Sequence, residues 1–145
     1  MKFIKKRNQY EASNVSFDPE NISAVSYNWW EFVSVINGKV VFNNYYYSPS
    51  TCKHQSKVRR LLETLNIKVD IVIESTKSLS SHEWQDDALK MLDNKIKLSN
   101  DALTNPRRKK ALDEKRKEEI VYLEEKKLEV LRISKSLLEA ELCLS

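Results

Sequence analysis

Two runs of β-branched and aromatic residues, 27–36 and 39–47, flank the dipeptide Asn37-Gly38. Asn-Gly between such runs predicts a β-hairpin, because a two-residue type I′ turn needs positive φ at both central positions. The short loop also fixes which residues face each other, and strict alternation then assigns one face to the core. That predicted core face pairs Val35 with Val40, Val33 with Phe42, Glu31 with Asn44 and Trp29 with Tyr46. The opposite face is mixed, so the pattern leaves open whether another element covers it.

A helix and a further strand follow the hairpin. Residues 52–65 repeat apolar side chains at helical spacing behind a break that contains serine and proline, and residues 67–74 alternate with period two. The order hairpin, helix, strand allows the last strand to lie parallel to the hairpin through a crossover. One more edge strand is expected from residues 2–6 or 15–17, although Asp18-Pro19 interrupts the second of these segments.

The remainder of the chain has the periodicity of helices. Ser80 and Glu83 match a capping box, which predicts a helix over 82–98 and then a turn over 100–105. Asn105-Pro106 matches an N-cap followed by a proline at the first helical position. Neither proline nor glycine occurs after it, so a second helix is expected to run from there to the end of the chain.

These elements predict an α+β fold: a small β-β-α-β module over residues 1–77, followed by a C-terminal helical hairpin over residues 80–145 with one long helix. The apolar stripe of that helix begins at Ile120 and is wider than a strict coiled-coil seam. Packing back on the preceding helix, or on helices of another chain, fits that width better than a dimeric coiled coil does. The candidate residues for self-association are Ile120, Leu123, Leu128, Leu131, Leu137 and Leu138.

The composition excludes several classes of enzyme. The chain has 145 residues, a length that suits one small domain with a helical extension, and it contains a single glycine. One glycine provides no material for the glycine-rich loops that cradle phosphates or dinucleotides, or for a strained nucleophile elbow. We therefore expect a non-enzymatic protein that holds no cofactor.

The net charge of +4 comes from 25 basic and 21 acidic side chains and is unevenly distributed. Among the charged positions, those of residues 95–117 are mostly basic, whereas those of residues 118–145 are mostly acidic. The small net charge therefore conceals a basic segment followed by an acidic one, and local clusters of charge are more informative than the total.

Nothing in the sequence predicts secretion or a membrane span. No segment approaches the roughly 18 apolar residues that a transmembrane helix needs, and the basic start lacks the apolar region of a signal peptide. Cys52 and Cys143 are too few and too far apart for a disulfide framework, so free thiols are favoured, although one disulfide between them is left open. A cytoplasmic protein without a membrane partner is expected.

The residues around the start of the first helix combine aromatic and basic side chains. At helical spacing Lys53, Lys57 and Arg60 form one stripe, and three cations in line next to tyrosines suit a nucleic-acid backbone and its bases. The helix N-terminus adds unpaired N–H groups that favour an anion. The simpler interpretation is a solvated basic face beside core tyrosines. The candidate binding residues here are Tyr45, Tyr47, Lys53, His54, Lys57 and Arg60.

A second basic cluster occupies the predicted first turn of the long helix and consists of Arg107, Arg108, Lys109 and Lys110. The helix macrodipole favours acidic residues at that position, so local helix stability does not explain these cations. An acidic partner, either a phosphate backbone or a protein surface, would explain them. Ordinary i,i+4 pairs such as Lys110 with Glu114 are the simpler explanation.

Catalytic and metal-binding patterns are weak throughout the chain. Asp70, Glu74 and Lys77 match the acidic-plus-lysine set of metal-dependent nucleases only loosely, and the solvent side of a half-buried strand explains them without a metal. No second ligand lies at zinc spacing from His54 or His82. We expect neither a catalytic residue nor a metal site.

A resemblance to small accessory proteins encoded by bacteriophages lies in the stretch from Tyr27-Asn28-Trp29-Trp30-Glu31-Phe32-Val33 to Lys53-His54-Gln55-Ser56-Lys57-Val58-Arg59-Arg60. The stretch contains no catalytic motif, and the resemblance assigns no site residue. It implies a small protein that binds a host component, such as a defence nuclease, in the host cytoplasm.

We therefore expect a binding protein that engages a polyanion, as nucleic acid or nucleoprotein, or an acidic protein surface, through the basic starts of two helices. A phage-type inhibitor that binds a host protein complex is the first alternative. A structural oligomer assembled through residues 120–144 is the second. These hypotheses differ in what is bound and in how strongly salt weakens the binding.

Overall fold

A seven-stranded β-sheet forms the first part of the protein in the computed structural model, which describes residues 4–6, 9–81 and 83–144, with side chains over 10–81 and 83–134. Each strand pairs with the strand that precedes it in the chain, and all of these pairs are antiparallel except the last. The strands are β1 (Ile4–Lys6), β2 (Gln9–Ala12), β3 (Val15–Asp18), β4 (Ser23–Ser26), β5 (Trp30–Ile36), β6 (Lys39–Asn43) and β7 (Ile71–Ile73).

Three helices complete the fold, which confirms the α+β class and the long C-terminal helix. They are α1 (Pro49–Thr64), α2 (Trp84–Thr104) and α3 (Asp113–Leu144), and a short 3-10 turn (Lys110–Leu112) precedes the last of them. The chain divides into two compact units, Met1–Trp84 and Gln85–Ser145. Over the described part of the chain, no helix is long and apolar enough to cross a membrane.

The predicted hairpin is confirmed as β5 and β6. These strands pair Val35 with Val40 and Val33 with Phe42, as the two-residue loop requires. Asn37 and Gly38 have φ values of 52° and 74°, which are the positive values of a type I′ turn.

The helix after the hairpin begins and ends on local signals. The Ser48 hydroxyl oxygen accepts the backbone N–H of Thr51 at 3.1 Å, so Ser48 is the N-cap. At the other end Asn66 has φ of 57°, and the N–H of Ile67 bonds to the carbonyl of Leu62, which is the pattern of a Schellman motif. The chain then returns to pair β7 parallel to β6, so the predicted crossover is confirmed.

Four short strands precede the hairpin where the sequence predicted one edge strand. Residues 15–17 belong to β3, which lies inside the sheet between β2 and β4. Asp18 does not interrupt the sheet, because its carboxylate accepts the N–H groups of Glu20 and Asn21 at 3.0 and 3.4 Å and closes the turn to β4. The other predicted segment, residues 2–6, overlaps β1, which lies at the edge of the sheet, so the expected edge strand is one of four strands in a larger antiparallel meander.

A β-bulge in β5 breaks the strict alternation that the sequence analysis assumed. The pairing between β4 and β5 skips Phe32, which is the extra residue of the bulge. The strand before the bulge therefore presents the opposite phase, so that Trp30 is 2% exposed and Trp29 is 54% exposed. The prediction that Trp29 and Tyr46 face the core is wrong, since both side chains are exposed. The prediction that Val35 faces the core is also wrong, since its side chain is 40% exposed.

The core of the first unit lies between the sheet and α1. Val58 and Leu62 of α1 are fully buried in one cluster with side chains of β3 to β6, such as Phe17 and Phe42. Burying each of these side chains contributes about 1.5–3 kcal/mol. Val41, which alternates to the opposite face of β6, is also fully buried, so that face is covered at this point as well.

The start of α2 differs from the predicted capping box. The hydroxyl of Ser81, rather than that of Ser80, accepts the N–H of Glu83 at 3.2 Å. Helix α2 begins at Trp84, the residue after Glu83. His82, at which the helix was expected to begin, lies outside the described residues.

The connection between α2 and α3 also differs from the prediction. Most of the turn expected over 100–105 is the last part of α2. The side chain of Asn105 accepts the N–H of Arg107 at 2.9 Å and closes a turn, so Pro106 does not begin a helix. The long helix begins at Asp113 instead and has 32 residues.

Within the second unit, α3 lies beside α2, which is one of the two arrangements that the broad apolar stripe left open. The Lys127 ammonium and the Asp93 carboxylate form a 2.8 Å salt bridge between the two helices. The hydrogen bond to Asp93 raises the pKa of Lys127. The buried apolar side chains of this unit are Ala88, Leu92, Leu123, Val130 and Ile133.

Candidate functional site

An aromatic cleft of about 400 Å³ opens between the turn that joins β4 to β5 and the start of α1. Its lining combines four aromatic side chains with four hydroxyl-bearing ones. They are Tyr27, Trp29, Trp30 and Tyr47, and Ser26, Ser48, Ser50 and Thr51. Since these residues come from two separate stretches of the chain, the cleft exists only in the folded first unit.

Two exposed rings form the rim of the aromatic cleft. Trp29 and Tyr47 are 54% and 50% exposed, and their ring centroids lie 6.0 Å apart at an interplanar angle of 77°. Trp30 is buried and its ring centroid lies 5.7 Å from that of Tyr47. A buried aromatic thus supports exposed ones, so the rim offers apolar surface held in place from below.

A strained turn positions Tyr27 and Trp29. The N–H of Trp29 bonds to the carbonyl of Ser26 at 3.3 Å, and the two central residues, Tyr27 and Asn28, have φ of 53° and 63°. Asparagine tolerates this left-handed region, but a tyrosine there is an outlier. The ring of Tyr27 lies 5.4 Å from that of His54, which helps to hold the turn against α1.

His54 is a core residue rather than part of an exposed binding stripe. Its side chain is 1% exposed, and its Nδ1 lies 2.7 Å from the hydroxyl of Ser26. Burial lowers the pKa of the imidazole, and a hydrogen bond with the backbone of Ser13 acts in the opposite direction. The expectation that His54 is a binding residue beside Lys53 and Lys57 is wrong, because its side chain is buried against the sheet.

A buried polar network holds the Tyr45–Tyr47 segment against α1. Gln55 is buried, and its side-chain N–H groups donate to the backbone carbonyls of Asn43 and Tyr45, both at 2.9 Å. The side chain of Asn43, also buried, donates to the carbonyl of Ser75 at 2.9 Å. Neither residue could be singled out from the sequence, because their polar neighbours, such as Ser56 and Asn44, give no local sign of which polar side chain is buried.

The structure places the predicted basic residues of α1 on one flank of the helix. Lys53 and Arg60 are exposed and Lys57 is half-buried. Their side chains form neither a hydrogen bond nor an ion pair with any residue that the structure describes. Ser50, which lines the aromatic cleft, precedes Lys53 by three residues, so this basic stripe of Lys53, Lys57 and Arg60 starts at the edge of the cleft.

The predicted tyrosines have different positions. Tyr47 lines the aromatic cleft, whereas Tyr45 is half-buried and its ring centroid lies 6.2 Å from that of Tyr47. Tyr46 is 62% exposed and lies outside the lining of the cleft. Arg59, next to the stripe in sequence, turns to the other flank, where its guanidinium bonds to Asn44 at 2.9 Å.

The second basic cluster does not occupy a helix start, so that prediction is wrong. Arg107, Arg108 and Lys109 lie in the connection before α3, and Lys110 begins the 3-10 turn. The first turn of α3 instead contains Asp113 and Glu114, as the macrodipole favours. Arg108 is engaged within the chain by a 3.0 Å ion pair with Asp113, and the other three cations are exposed.

The residues predicted for self-association do not share one surface. Leu123 is 5% exposed and Ile120 is half-buried, so neither is free to meet another chain. Leu128 and Leu131 are 52% and 43% exposed. The side chains of Leu137 and Leu138 lie outside the described residues.

The loose match to nucleases has structural explanations. The Asp70 carboxylate accepts the N–H of Val40 at 2.9 Å, and Lys77 forms a 3.3 Å ion pair with Glu83. In the part of the chain that the structure describes, no three acidic, histidine or cysteine side chains come together as metal ligands. Cys52 has a free thiol, and the side chain of Cys143 lies outside the described residues.

Comparisons of the chain with protein-family models, with curated proteins and with solved structures gave no match. Function must therefore be inferred from chemistry at the surface of this chain. The aromatic cleft and the basic stripe are the two adjoining features that offer it. Together they combine stacking surface, hydroxyl groups and cations within one unit.

Proposed function

We propose that the first unit binds nucleic acid through the basic stripe of α1 and the adjoining aromatic cleft, and that the protein is not an enzyme. The observation that supports this most is the stripe itself. Lys53, Lys57 and Arg60 lie in line at i, i+4 and i+7, and no described residue neutralises them. At its N-terminal end the stripe adjoins exposed aromatic rings. These rings can stack on bases, and the cations can bind phosphates.

Some cations of the chain are neutralised by ion pairs, whereas the three of the stripe are not paired with any described residue. Lys77, Arg108 and Lys127 each form an ion pair within their own unit. A solvated basic face could also remain unpaired, but the aromatic cleft next to the stripe adds a second kind of recognition. We expect the binding to take place in the cytoplasm, where Cys52 would keep a reduced thiol.

Charge reversal tests the proposal. We expect Lys53→Glu combined with Arg60→Glu to weaken binding of a fluorescently labelled oligonucleotide at least about tenfold in low salt, and to reduce the slope of log K against log salt by about two. The matched control is Lys39→Glu combined with Lys68→Glu, which changes net charge equally at two exposed positions outside the stripe. Fluorescence anisotropy across a salt series measures both effects.

Two outcomes would overturn this proposal. Absence of oligonucleotide binding by the native protein in low salt is the first. Equal losses in the stripe variant and in its control would show that only net charge matters. A tight, weakly salt-dependent complex with one host protein would instead support the phage-type inhibitor hypothesis.

We also propose self-association through an exposed face of α3, because three exposed apolar side chains lie there at heptad spacing. Val121 and Leu128 are seven residues apart, and Leu131 follows three residues later; they are 58%, 52% and 43% exposed. A second copy of this chain fits such a seam, in which apolar side chains recur along one line of the helix.

Light scattering at micromolar concentration tests this second proposal. We expect a dimer for the native chain and a monomer for Leu128→Glu, because a carboxylate in the seam is desolvated without a partner. Tyr122→Glu is the matched control, since Tyr122 is 54% exposed but lies on another side of the helix. A native chain that is monomeric would contradict the proposal.

A further inference from the structure

The aromatic cleft has the dimensions and the lining of a site for one flat ring. Its volume of about 400 Å³ falls within the range of roughly 300–1,000 Å³ that is typical of small-ligand sites. Trp29 and Tyr47 supply exposed ring faces, and Ser50 supplies a hydroxyl. None of the described residues that line the cleft is acidic, so a ring that carries a phosphate is not repelled.

We infer that the nucleic acid is single-stranded and that the aromatic cleft takes one of its unstacked bases. This inference rests on the function proposed above. It follows from the junction at Ser50, which lines the cleft and lies one helical turn before Lys53. A base in the cleft therefore leaves its own phosphates next to the first cation of the stripe.

A double helix does not satisfy both halves of this surface. Its bases are paired and stacked, so only their edges are accessible and no ring face can meet Trp29. A single strand offers ring faces without a penalty for unpairing, and every base has one, so stacking tolerates any sequence. From Lys53 to Arg60 the stripe spans roughly 10 Å, and thus it contacts only a short stretch of backbone.

The cleft could also suit a proline-rich peptide, since such peptides dock in aromatic-lined grooves. The adjoining cations favour the nucleic acid, because a proline-rich segment has no charge for them to neutralise. A single-stranded nucleic acid accounts for both the aromatic lining of the cleft and the cations of the stripe. The peptide explains the cleft alone.

Alanine substitution at the rim tests the inference. The probes are a labelled oligothymidylate, a labelled duplex of equal length and inorganic polyphosphate. We expect Trp29→Ala and Tyr47→Ala each to weaken single-strand binding by on the order of 5- to 150-fold, the equivalent of losing one stacked base. Binding of the duplex and of polyphosphate should stay unchanged, because neither presents a ring face to the cleft.

Tyr46→Ala is the matched control, since Tyr46 is an exposed tyrosine next to Tyr47 but outside the cleft lining. It should leave single-strand binding unchanged. Thermal unfolding checks that all variants fold, which we expect because the substituted rings are at least half exposed.

The outcomes separate this inference from the proposed function. Single-strand binding that resists both rim substitutions but falls on reversal of Lys53 and Arg60 would overturn the base site and leave the nucleic-acid function standing. Equal affinity for single strand and duplex would do the same. If neither the rim substitutions nor the charge reversal weakened oligonucleotide binding, and the protein instead bound a proline-rich peptide through Trp29, both the base site and the nucleic-acid function would be overturned.

Discussion

Six residues other than glycine have positive φ in the described part of the chain. They occupy left-handed backbone positions that most proteins fill with glycine. Four of them are asparagines, whose short polar side chains tolerate the left-handed region. Ile22 and Tyr27 are the exceptions, with φ of 51° and 53°. Strain of this kind persists where the surroundings impose it, and Tyr27 lies at the aromatic cleft.

Two substitutions separate the strain at Tyr27 from the contribution of its ring. Both Tyr27→Asn and Tyr27→Ala remove the contact with His54, but only asparagine is at ease at this φ. We expect Tyr27→Asn to be more stable than Tyr27→Ala by about 1 kcal/mol in urea unfolding, because asparagine tolerates the left-handed conformation that alanine disfavours.

Binding should respond differently from stability in this pair. Both variants lack a ring that lines the cleft, so we expect oligonucleotide affinity to fall by the same factor in both. A stability difference near zero would mean that the turn relaxes in both variants. Affinity equal to that of the native protein in both variants would mean that the ring of Tyr27 takes no part in binding.

At the scale of elements, the predictable parts are those whose signals are local. Asn37-Gly38 marks the hairpin through the geometry of its own turn, and Ser48 marks the start of α1 by capping it. Strands β3 and β4 have four residues each, too few for their alternation to stand out. They are strands because neighbours pair with them, which no local pattern records.

The bulge at Phe32 shows how one extra residue defeats a face assignment. The two-residue loop predicts the pairing partners of β5 and β6 correctly from Val33 to Ile36, but the bulge reverses the phase of the residues before Val33. Helix starts fail for a related reason: Asn105-Pro106 has the composition of a cap, yet the same asparagine closes a tighter turn on Arg107. Both the alternating pattern of β5 and the Asn105-Pro106 dipeptide are compatible with two local conformations, and long-range packing selects one of them.

The candidate site divides in the same way. The basic stripe follows from helical spacing within α1, so the sequence alone locates Lys53, Lys57 and Arg60. The aromatic cleft joins residues 26–30 to residues 47–51, and only the folded sheet brings these segments together.

At the scale of the whole molecule, both units form some ion pairs and leave other cations exposed. The second unit neutralises part of its charge through ion pairs, such as Lys117 with Glu114 and Lys126 with Glu129. In the first unit, the basic stripe of α1 is unpaired among the described residues. The same helix also contains a buried titratable imidazole, that of His54. Acid should therefore affect the stability of the fold through His54.

We expect the stability of the protein to fall as the pH decreases below about 6.5, the ordinary pKa of histidine. Burial lowers the pKa of His54 in the folded state, so the unfolded chain takes up a proton that the folded chain does not. The loss begins near the unfolded pKa, continues down to the folded pKa and is absent above both. Thermal unfolding between about pH 7.5 and 5.5 measures it.

His54→Gln is the comparison for this pH dependence, because glutamine retains a hydrogen-bonding group for Ser26 but does not titrate. We expect the variant to have a shallower fall in Tm over the same pH range. All other titrating groups are shared, so the difference in slope reports His54 alone. Identical slopes would show that the imidazole titrates normally in the folded protein.

The bulge in β5 also places the neighbouring Trp29 and Trp30, two of the three tryptophans of the chain, in different optical surroundings. Trp30 and Trp84 are 2% and 0% exposed, whereas water reaches more than half of Trp29. A collisional quencher such as iodide therefore meets a single indole, and that indole stands at the rim of the aromatic cleft. The unlabelled protein thus carries two independent fluorescent signals, one for the integrity of its core and one for what enters the cleft.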